Sequence, residues 1–93
     1  MKPQKFSYNE LSLATNNFGK KETLGRGGFG EVYKGFFRDS NSFVAVKRIS
    51  RGSQQGINVA EIKIISRLRH KNAVKLLGWS HEKDLMLVYE FIV

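Results

Sequence analysis

The chain has 93 residues, of which 41% are hydrophobic and 12% aromatic, a composition typical of one small globular domain or one lobe of a larger domain. Cysteine is absent, which excludes disulfide frameworks, thiolate zinc sites and cysteine nucleophiles, and His70 and His81 lack metal-ligand spacing. Sixteen Lys and Arg residues against eight Asp and Glu give a net charge of +8, which suits an anionic partner such as a phosphate, a nucleic acid or a membrane surface.

No targeting or membrane signal is visible in this sequence. Its first residues lack the apolar core of a signal peptide, and no stretch reaches the ~18 apolar residues of a membrane span. The longest apolar run, residues 85–93, is interrupted by Glu90 and continues to the last residue. We therefore expect this chain to be a truncated piece of a longer protein.

The hydrophobic pattern predicts a mixture of strands and helices. Ser7 and Glu10 have the spacing of a capping box, which predicts a short helix that ends near Asn16. Further along, the pattern predicts strands over residues 31–37 and 43–49, a helix over 57–68, and strands over 74–79 and 85–91. Short turns between successive strands favour an α+β fold, in which an antiparallel sheet packs against one helix.

A glycine-rich loop lies between Leu24 and Val32 and contains the spacing Gly-x-Gly-x-x-Gly from Gly25 to Gly30. A dinucleotide-binding fold would require a helix directly after this loop, but a strand is predicted there. A Walker A loop would require Lys followed by Ser or Thr after the last glycine, and Glu31 stands there instead. The remaining nucleotide-binding reading is a strand–loop–strand flap with a lysine on the next strand, and Lys47 occupies that position. An ordinary glycine-rich turn is the alternative.

Two charged residues lie in apolar patterns and are candidate partners. Lys47 alternates with Val44 and Val46 in its predicted strand, and Glu61 lies on the apolar face of the predicted helix. A lone carboxylate on a buried face is costly unless it is paired. We therefore expect Glu61 to pair with Lys47 and to hold the Lys47 ammonium where it can bind phosphate oxygens. The alternative for Lys47 is a lysine that reaches water from the end of a strand.

These motifs together resemble the small lobe of plant receptor-like protein kinases. Residues 6–18 are similar to the juxtamembrane start of these kinases, and residues 24–35 (LGRGGFGEVYKG) are similar to their phosphate loop. Residues 64–72 and 76–79 resemble the legume-lectin-domain (L-type) receptor kinases, and residues 87–91 resemble the last small-lobe strand and the hinge. The resemblance implies a juxtamembrane segment at 1–19 and a truncated kinase domain at 20–93. It also implies a five-stranded antiparallel sheet with one packed αC helix, a short N-terminal helix and no large lobe.

The resemblance also implies roles for individual residues in binding ATP. The implied ATP-binding residues are Leu24, Gly25, Arg26, Gly27, Gly28, Phe29, Gly30, Val32, Ala45, Lys47, Glu90 and Ile92. Glu61 would orient Lys47, Tyr89 would be the gatekeeper, and Glu90 and Ile92 would meet the adenine edge through their backbones. The full-length parent would be a serine/threonine kinase at the cytoplasmic face of the plasma membrane, with Mg²⁺ as a cofactor and a large lobe as its partner.

Departures from the kinase pattern limit what this chain is expected to do alone. The sequence contains no His-Arg-Asp and no Asp-Phe-Gly, so the carboxylates that position the substrate hydroxyl and hold magnesium are missing. We expect no catalytic residue, no metal site and no phosphotransfer in this chain. The segment before Glu61 also looks about two residues short, which would turn a helix by ~200°. A non-catalytic nucleotide-binding or interaction module and a basic nucleic-acid-binding domain are the alternatives.

Overall fold

A sheet of six strands forms the centre of the part of the chain that the computed structural model describes, namely residues 3–27, 30–49 and 73–92. In chain order the elements are β1 (Gln4–Lys5), α1 (Tyr8–Ala14), a 3-10 turn (Lys20–Glu22), β2 (Thr23–Gly27), β3 (Gly30–Phe37), β4 (Ser42–Ile49), β5 (Ala73–Ser80) and β6 (Met86–Phe91). The order of strands across the sheet is β1-β5-β6-β4-β3-β2. The α+β interpretation and the position of the short N-terminal helix are confirmed.

Strands β2 to β6 pair antiparallel, as the sequence predicts, but the described sheet has one more strand than expected. The two residues of β1 pair in parallel with β5, with Gln4 opposite Gly78 and Lys5 opposite Trp79. The sheet is therefore mixed rather than purely antiparallel. A two-residue strand carries no hydrophobic alternation of its own, so nothing in the local sequence predicts it.

The central strand β4 buries both of its faces, which explains its nearly continuous apolar sequence. Val44 and Val46 pack on one face with β6 and with the N-terminal segment, residues 3–18; we call this the covered face. Ala45 and Ile49 pack on the opposite face with Leu87 and other residues of the second cluster; we call this the site face. Successive strand residues alternate between faces, so Lys47 lies with Ala45 and Arg48 lies with Val46.

Helix α1 starts as its capping box predicts. The Ser7 hydroxyl accepts a hydrogen bond from the Glu10 N–H at 3.0 Å, and the Glu10 carboxylate accepts one from the Ser7 N–H at 2.9 Å. The helix has only 7 residues and would be marginal in isolation. It is held by tertiary packing, because Leu11 is fully buried on the covered face.

The N-terminal segment is part of the core rather than a tail in front of it. Phe6 is 6% exposed, its ring stacks on Phe37 with 5.3 Å between centroids, and its N–H donates to the Trp79 carbonyl at 2.7 Å. Gly78 makes this approach possible, since an added Cβ would lie 1.9 Å from the Gln4 carbonyl oxygen. The interior of the lobe therefore extends across the boundary predicted at residue 19.

Several predicted features fall outside the described residues. The predicted helix 57–68, its carboxylate Glu61 and the shortened segment before it are among them. Gly28 and Phe29, at the tip of the glycine-rich loop, are also outside. Among the described residues, no helix is long and apolar enough to cross a membrane.

Candidate functional site

The site face brings together four residues for which the kinase resemblance implies a role in ATP binding or as the gatekeeper. Ala45 and Tyr89 are opposite each other in the register of β4 and β6, and both are buried. Leu24 and Val32 pack against the same cluster from β2 and β3. Four residues from four strands thus form one apolar surface, because strand periodicity and register place them on the same side.

Lys47 lies within this apolar surface. It is opposite Val32 on one neighbouring strand and Leu87 on the other, and only 4% of it is exposed. Burial penalises the charged form and lowers the pKa of Lys47 to about 8. At pH 7 the amine is still mainly protonated, because the pH lies about one unit below this pKa. The site face therefore presents a largely desolvated ammonium group, rather than a lysine that reaches water.

The strands on either side of the glycine-rich loop, β2 and β3, pair beside this lysine, and we call this pair the glycine hairpin. Strands β2 and β3 pair with Gly27 opposite Gly30 and Gly25 opposite Val32. Gly30 has a φ of +142°, and a Cβ there would lie 1.9 Å from the Arg48 carbonyl oxygen, so only glycine fits. At Gly25 an added Cβ would meet no atom within 4 Å. The packing of the described chain therefore requires a glycine at 30 but leaves open space above Gly25.

The remaining described residues with predicted roles lie near the ends of β6 and β2, outside the apolar cluster of the site face. Glu90 is the fifth residue of β6, with an exposed side chain, in register with Val44 and Lys75 on the two flanking strands. Ile92 follows the end of β6 and is 53% exposed. The Arg26 side chain is exposed and lies 3.7 Å from the Glu31 carboxylate. Such an exposed ion pair contributes little to stability.

The sequence analysis missed one residue of this surface. Leu87 is buried directly opposite Lys47, and the alternation of residues 85, 87 and 89 would have predicted its position. In the described part of the chain, no group of three or more His, Asp or Glu residues is arranged to hold a metal ion.

Two basic residues of β4, Lys47 and Arg48, are not available as a free cationic surface. Lys47 is buried, and the Arg48 Nε donates to the Asp84 carboxylate at 2.9 Å. A nucleic-acid-binding domain would present its cations on an exposed face with aromatic groups for stacking. The described geometry of these two residues therefore does not favour a nucleic-acid-binding surface.

Comparison with known proteins gives consistent matches over nearly the whole chain. The family model described as protein kinase domain matches residues 18–93. The chain is 50% identical to L-type lectin-domain containing receptor kinase IX.1 of Arabidopsis thaliana and 52% identical to L-type lectin-domain containing receptor kinase V.7 of the same plant. Each alignment covers 97% of this chain but only 14% of the relative, so the chain spans a small part of their length.

Proposed function

Because this chain belongs to the protein kinase family, we propose that it is the ATP-binding small lobe of a receptor-like serine/threonine kinase. The full-length parent would transfer the γ-phosphate of ATP to serine or threonine hydroxyls of proteins. The observation that carries this proposal is the buried Lys47, surrounded by the apolar site face and adjacent to the glycine hairpin.

The site face offers separate regions for the two ends of a nucleotide. Leu24, Val32 and Ala45 would contact the adenine ring, with Tyr89 as the gatekeeper behind them. The backbones of Glu90 and Ile92 would hydrogen-bond the adenine edge. The proposed phosphate-binding residues are Gly25, Arg26, Gly27, Gly28, Phe29, Gly30 and Lys47. Glu61 would orient the Lys47 ammonium.

Two features of the described residues fit a bound triphosphate. The space above Gly25 would be filled by any larger side chain that pointed into it, so glycine there leaves room for a ligand to approach the backbone. The buried Lys47 ammonium supplies positive charge in a site of low dielectric constant, where its attraction for phosphate oxygens is stronger than in water. Together these features favour the interpretation of residues 25–30 as a nucleotide-binding loop over the alternative of an ordinary glycine-rich turn.

The chain's own residues provide binding and orientation but not the complete catalytic apparatus. Bound ATP would supply the phosphoryl group, and Lys47 would hold its α- and β-phosphates in place. The carboxylates that orient the hydroxyl and hold Mg²⁺ in kinases have no counterpart motif among the 93 residues. We therefore propose that this chain alone binds ATP weakly and transfers no phosphate, and that Mg²⁺ and a large lobe act only in the parent.

The relatives' names indicate where the parent would act. Both compared relatives are named receptor kinases, and this supports a position at the cytoplasmic face of the plasma membrane. Residues 1–19 would then join the membrane-proximal region to the lobe. This juxtamembrane segment packs into the core, so the lobe and its membrane connection would form one structural unit.

A titration monitored by NMR tests nucleotide binding with an internal control. The ¹³C- and ¹⁵N-labelled chain is titrated with ATP, and we expect saturable shifts of the side-chain signals of Val32, Ala45 and Lys47. Because the Val44 and Val46 side chains lie on the covered face of the same strand, their methyl signals should shift much less. Equal shifts on both faces, or none on the site face, would refute the proposed site.

Two lysine variants separate the site from general charge. Lys47→Ala should weaken ATP binding by at least tenfold, which is the loss expected when one charge-assisted contact to phosphate is removed. Lys75→Ala removes the same charge from an exposed position on β5 and should change the affinity by less than about twofold. If both variants weaken binding equally, the affinity comes from net charge and the assignment of Lys47 is wrong.

A further inference from the structure

Arg48 directly follows Lys47 on β4 but faces the opposite side of the sheet. Its Nε donates to the Asp84 Oδ2 at 2.9 Å, and its guanidinium lies over the Phe18 ring, 5.1 Å from the centroid. Burial disfavours the charge, but the hydrogen bond and the negative charge of Asp84 outweigh this effect and raise the pKa of Arg48. Arg48 is therefore a fixed cation that links β4 to the turn after β5 and to the N-terminal segment.

The same turn holds the N-terminal segment through its two other charged residues. The Glu82 carboxylate accepts a hydrogen bond from the Tyr8 N–H at 2.7 Å, and the Lys83 ammonium lies 4.3 Å from the Tyr8 ring centroid. Tyr8 in turn contacts Phe18, with 5.5 Å between ring centroids. The Glu82 and Lys83 side chains thus contact the N-terminal segment, and the Asp84 side chain binds Arg48.

Phe18 is held in place by its surroundings rather than by its backbone preference. Its φ is 52°, a left-handed value that is rare for a bulky residue and persists only where neighbouring contacts impose it. Its N–H donates to the Thr15 hydroxyl at 3.0 Å, and its ring meets Tyr33 edge-on. The ring beneath the Arg48 guanidinium is therefore in position only when the N-terminal segment is docked.

The backbone of Arg48 lies beside β3, the neighbouring strand, where β3 begins in the glycine hairpin. Gly30 lies so close that an added Cβ would be 1.9 Å from the Arg48 carbonyl oxygen, and Glu31 is opposite Arg48 in the register of β3 and β4. One residue thus contacts the end of the phosphate loop through its backbone, while its side chain is anchored on the covered face. Lys47 is its immediate neighbour in the chain.

From these contacts we propose that Arg48 is a positioning residue. It couples docking of the N-terminal segment to the binding of nucleotide by Lys47 and the glycine hairpin. This inference rests on the nucleotide-binding function proposed above. Arg48 does not touch the nucleotide; it holds β4 between the anchored turn and the hairpin, so that the Lys47 ammonium stays at the phosphate position. The membrane-proximal segment would thereby influence ATP affinity from the opposite face of the sheet.

A double-mutant cycle tests whether Arg48 acts through Lys47. ATP dissociation constants are measured by NMR for the 93-residue chain and for Arg48→Gln, Lys47→Ala and the double variant. We expect Arg48→Gln to weaken binding about fivefold in the wild-type background and to have no further effect once Lys47 is absent. A purely structural role would weaken binding by the same factor in both backgrounds, and that result would overturn the proposal.

A second variant tests the link to the N-terminal segment, and a third guards against loss of folding. Phe18→Leu keeps the position apolar but removes the ring, and it should weaken ATP binding in the same direction as Arg48→Gln. Unchanged affinity in Phe18→Leu would overturn the coupling.

If Arg48→Gln lacks a folded spectrum, Asp84→Asn replaces Arg48→Gln in the cycle, because Asp84→Asn removes the carboxylate that anchors Arg48 and retains Arg48 itself. Lys75→Gln is the control for loss of one positive charge.

The two proposals fail in different ways. If the wild-type chain shows no saturable ATP shifts, the proposed function fails and this inference fails with it. If the wild-type chain binds ATP through Lys47 but Arg48→Gln binds equally well, the proposed function stands and the positioning role alone is refuted.

Discussion

Replacing Gly78 by alanine tests whether the N-terminal segment is part of the folded core. The added Cβ would lie 1.9 Å from the Gln4 carbonyl oxygen and 2.7 Å from the Phe6 ring, so β1 would have to leave β5. That movement would break the hydrogen bond from the Phe6 N–H to the Trp79 carbonyl, worth about 1 kcal/mol. It would also expose the Phe6 ring, which is now 6% exposed, at a cost of about 2 kcal/mol.

The expected loss is therefore about 3 kcal/mol in the free energy of unfolding, a large fraction of the stability of a small domain. Urea denaturation followed by tryptophan fluorescence measures it directly, because Trp79 is the only tryptophan in the sequence and is opposite Lys5 in β1. Gly25→Ala is the matched control. It makes the same substitution on the same sheet but meets no atom within 4 Å, so its stability should change by less than about 0.5 kcal/mol.

One result of comparing these two alanine variants would contradict the prediction. If Gly78→Ala unfolds at the same urea concentration as Gly25→Ala, the N-terminal segment does not pack on β5 in solution. The interpretation of residues 3–18 as part of the lobe would then be wrong. A loss confined to Gly78→Ala would instead support the packing of residues 3–18 as part of the lobe.

Four further predictions follow from the site face and from the sequence. The pKa of Lys47 in the folded chain, about 8, lies below its unfolded value of 10.5. Between these values the unfolded state binds more protons than the folded state, so stability should rise with pH from about 8 to about 10.5. Urea unfolding at several pH values checks this, and Lys47→Met should lose the rise; an identical slope in both would contradict the assignment. Gly30→Ala should destabilise the chain by at least ~2 kcal/mol, because its Cβ meets backbone at a positive φ, and an unchanged melting temperature would contradict this. The purified chain should incorporate no label from γ-labelled ATP into itself or a peptide, and stoichiometric incorporation would refute the expected inactivity. Salt should promote self-association, because it screens the repulsion of a net charge of +8 between chains that expose apolar side chains such as Ile92, and light scattering that is independent of salt would argue against it.

Local patterns in the sequence were sufficient to predict most of the described elements and the alternation of side chains along β4. The capping box at Ser7 and Glu10 is confirmed because both of its hydrogen bonds join residues three apart in the chain. The alternation in β4 separates Lys47 and Ala45 from Val44 and Val46 because side-chain direction in a strand has a period of two. The antiparallel pairing of β3 with β4 and of β5 with β6 also agrees with the short connections between these strands.

Long-range contacts, which only the tertiary structure reveals, determine how the N-terminal segment and the turn at 82–84 pack on the lobe. The contact of Tyr8 with Glu82 joins residues 74 positions apart, and the pairing of Gln4 with Gly78 has the same separation. No local pattern encodes such a contact, since β1 has only two residues and Arg48 and Asp84 look like ordinary surface charges in the sequence. The alternation of residues along β4 predicts which side of the sheet each of its side chains faces. The covering of one side by the N-terminal segment depends on long-range packing at Gly78, Phe6 and Leu11, where burial of apolar surface supplies the free energy that local propensity lacks.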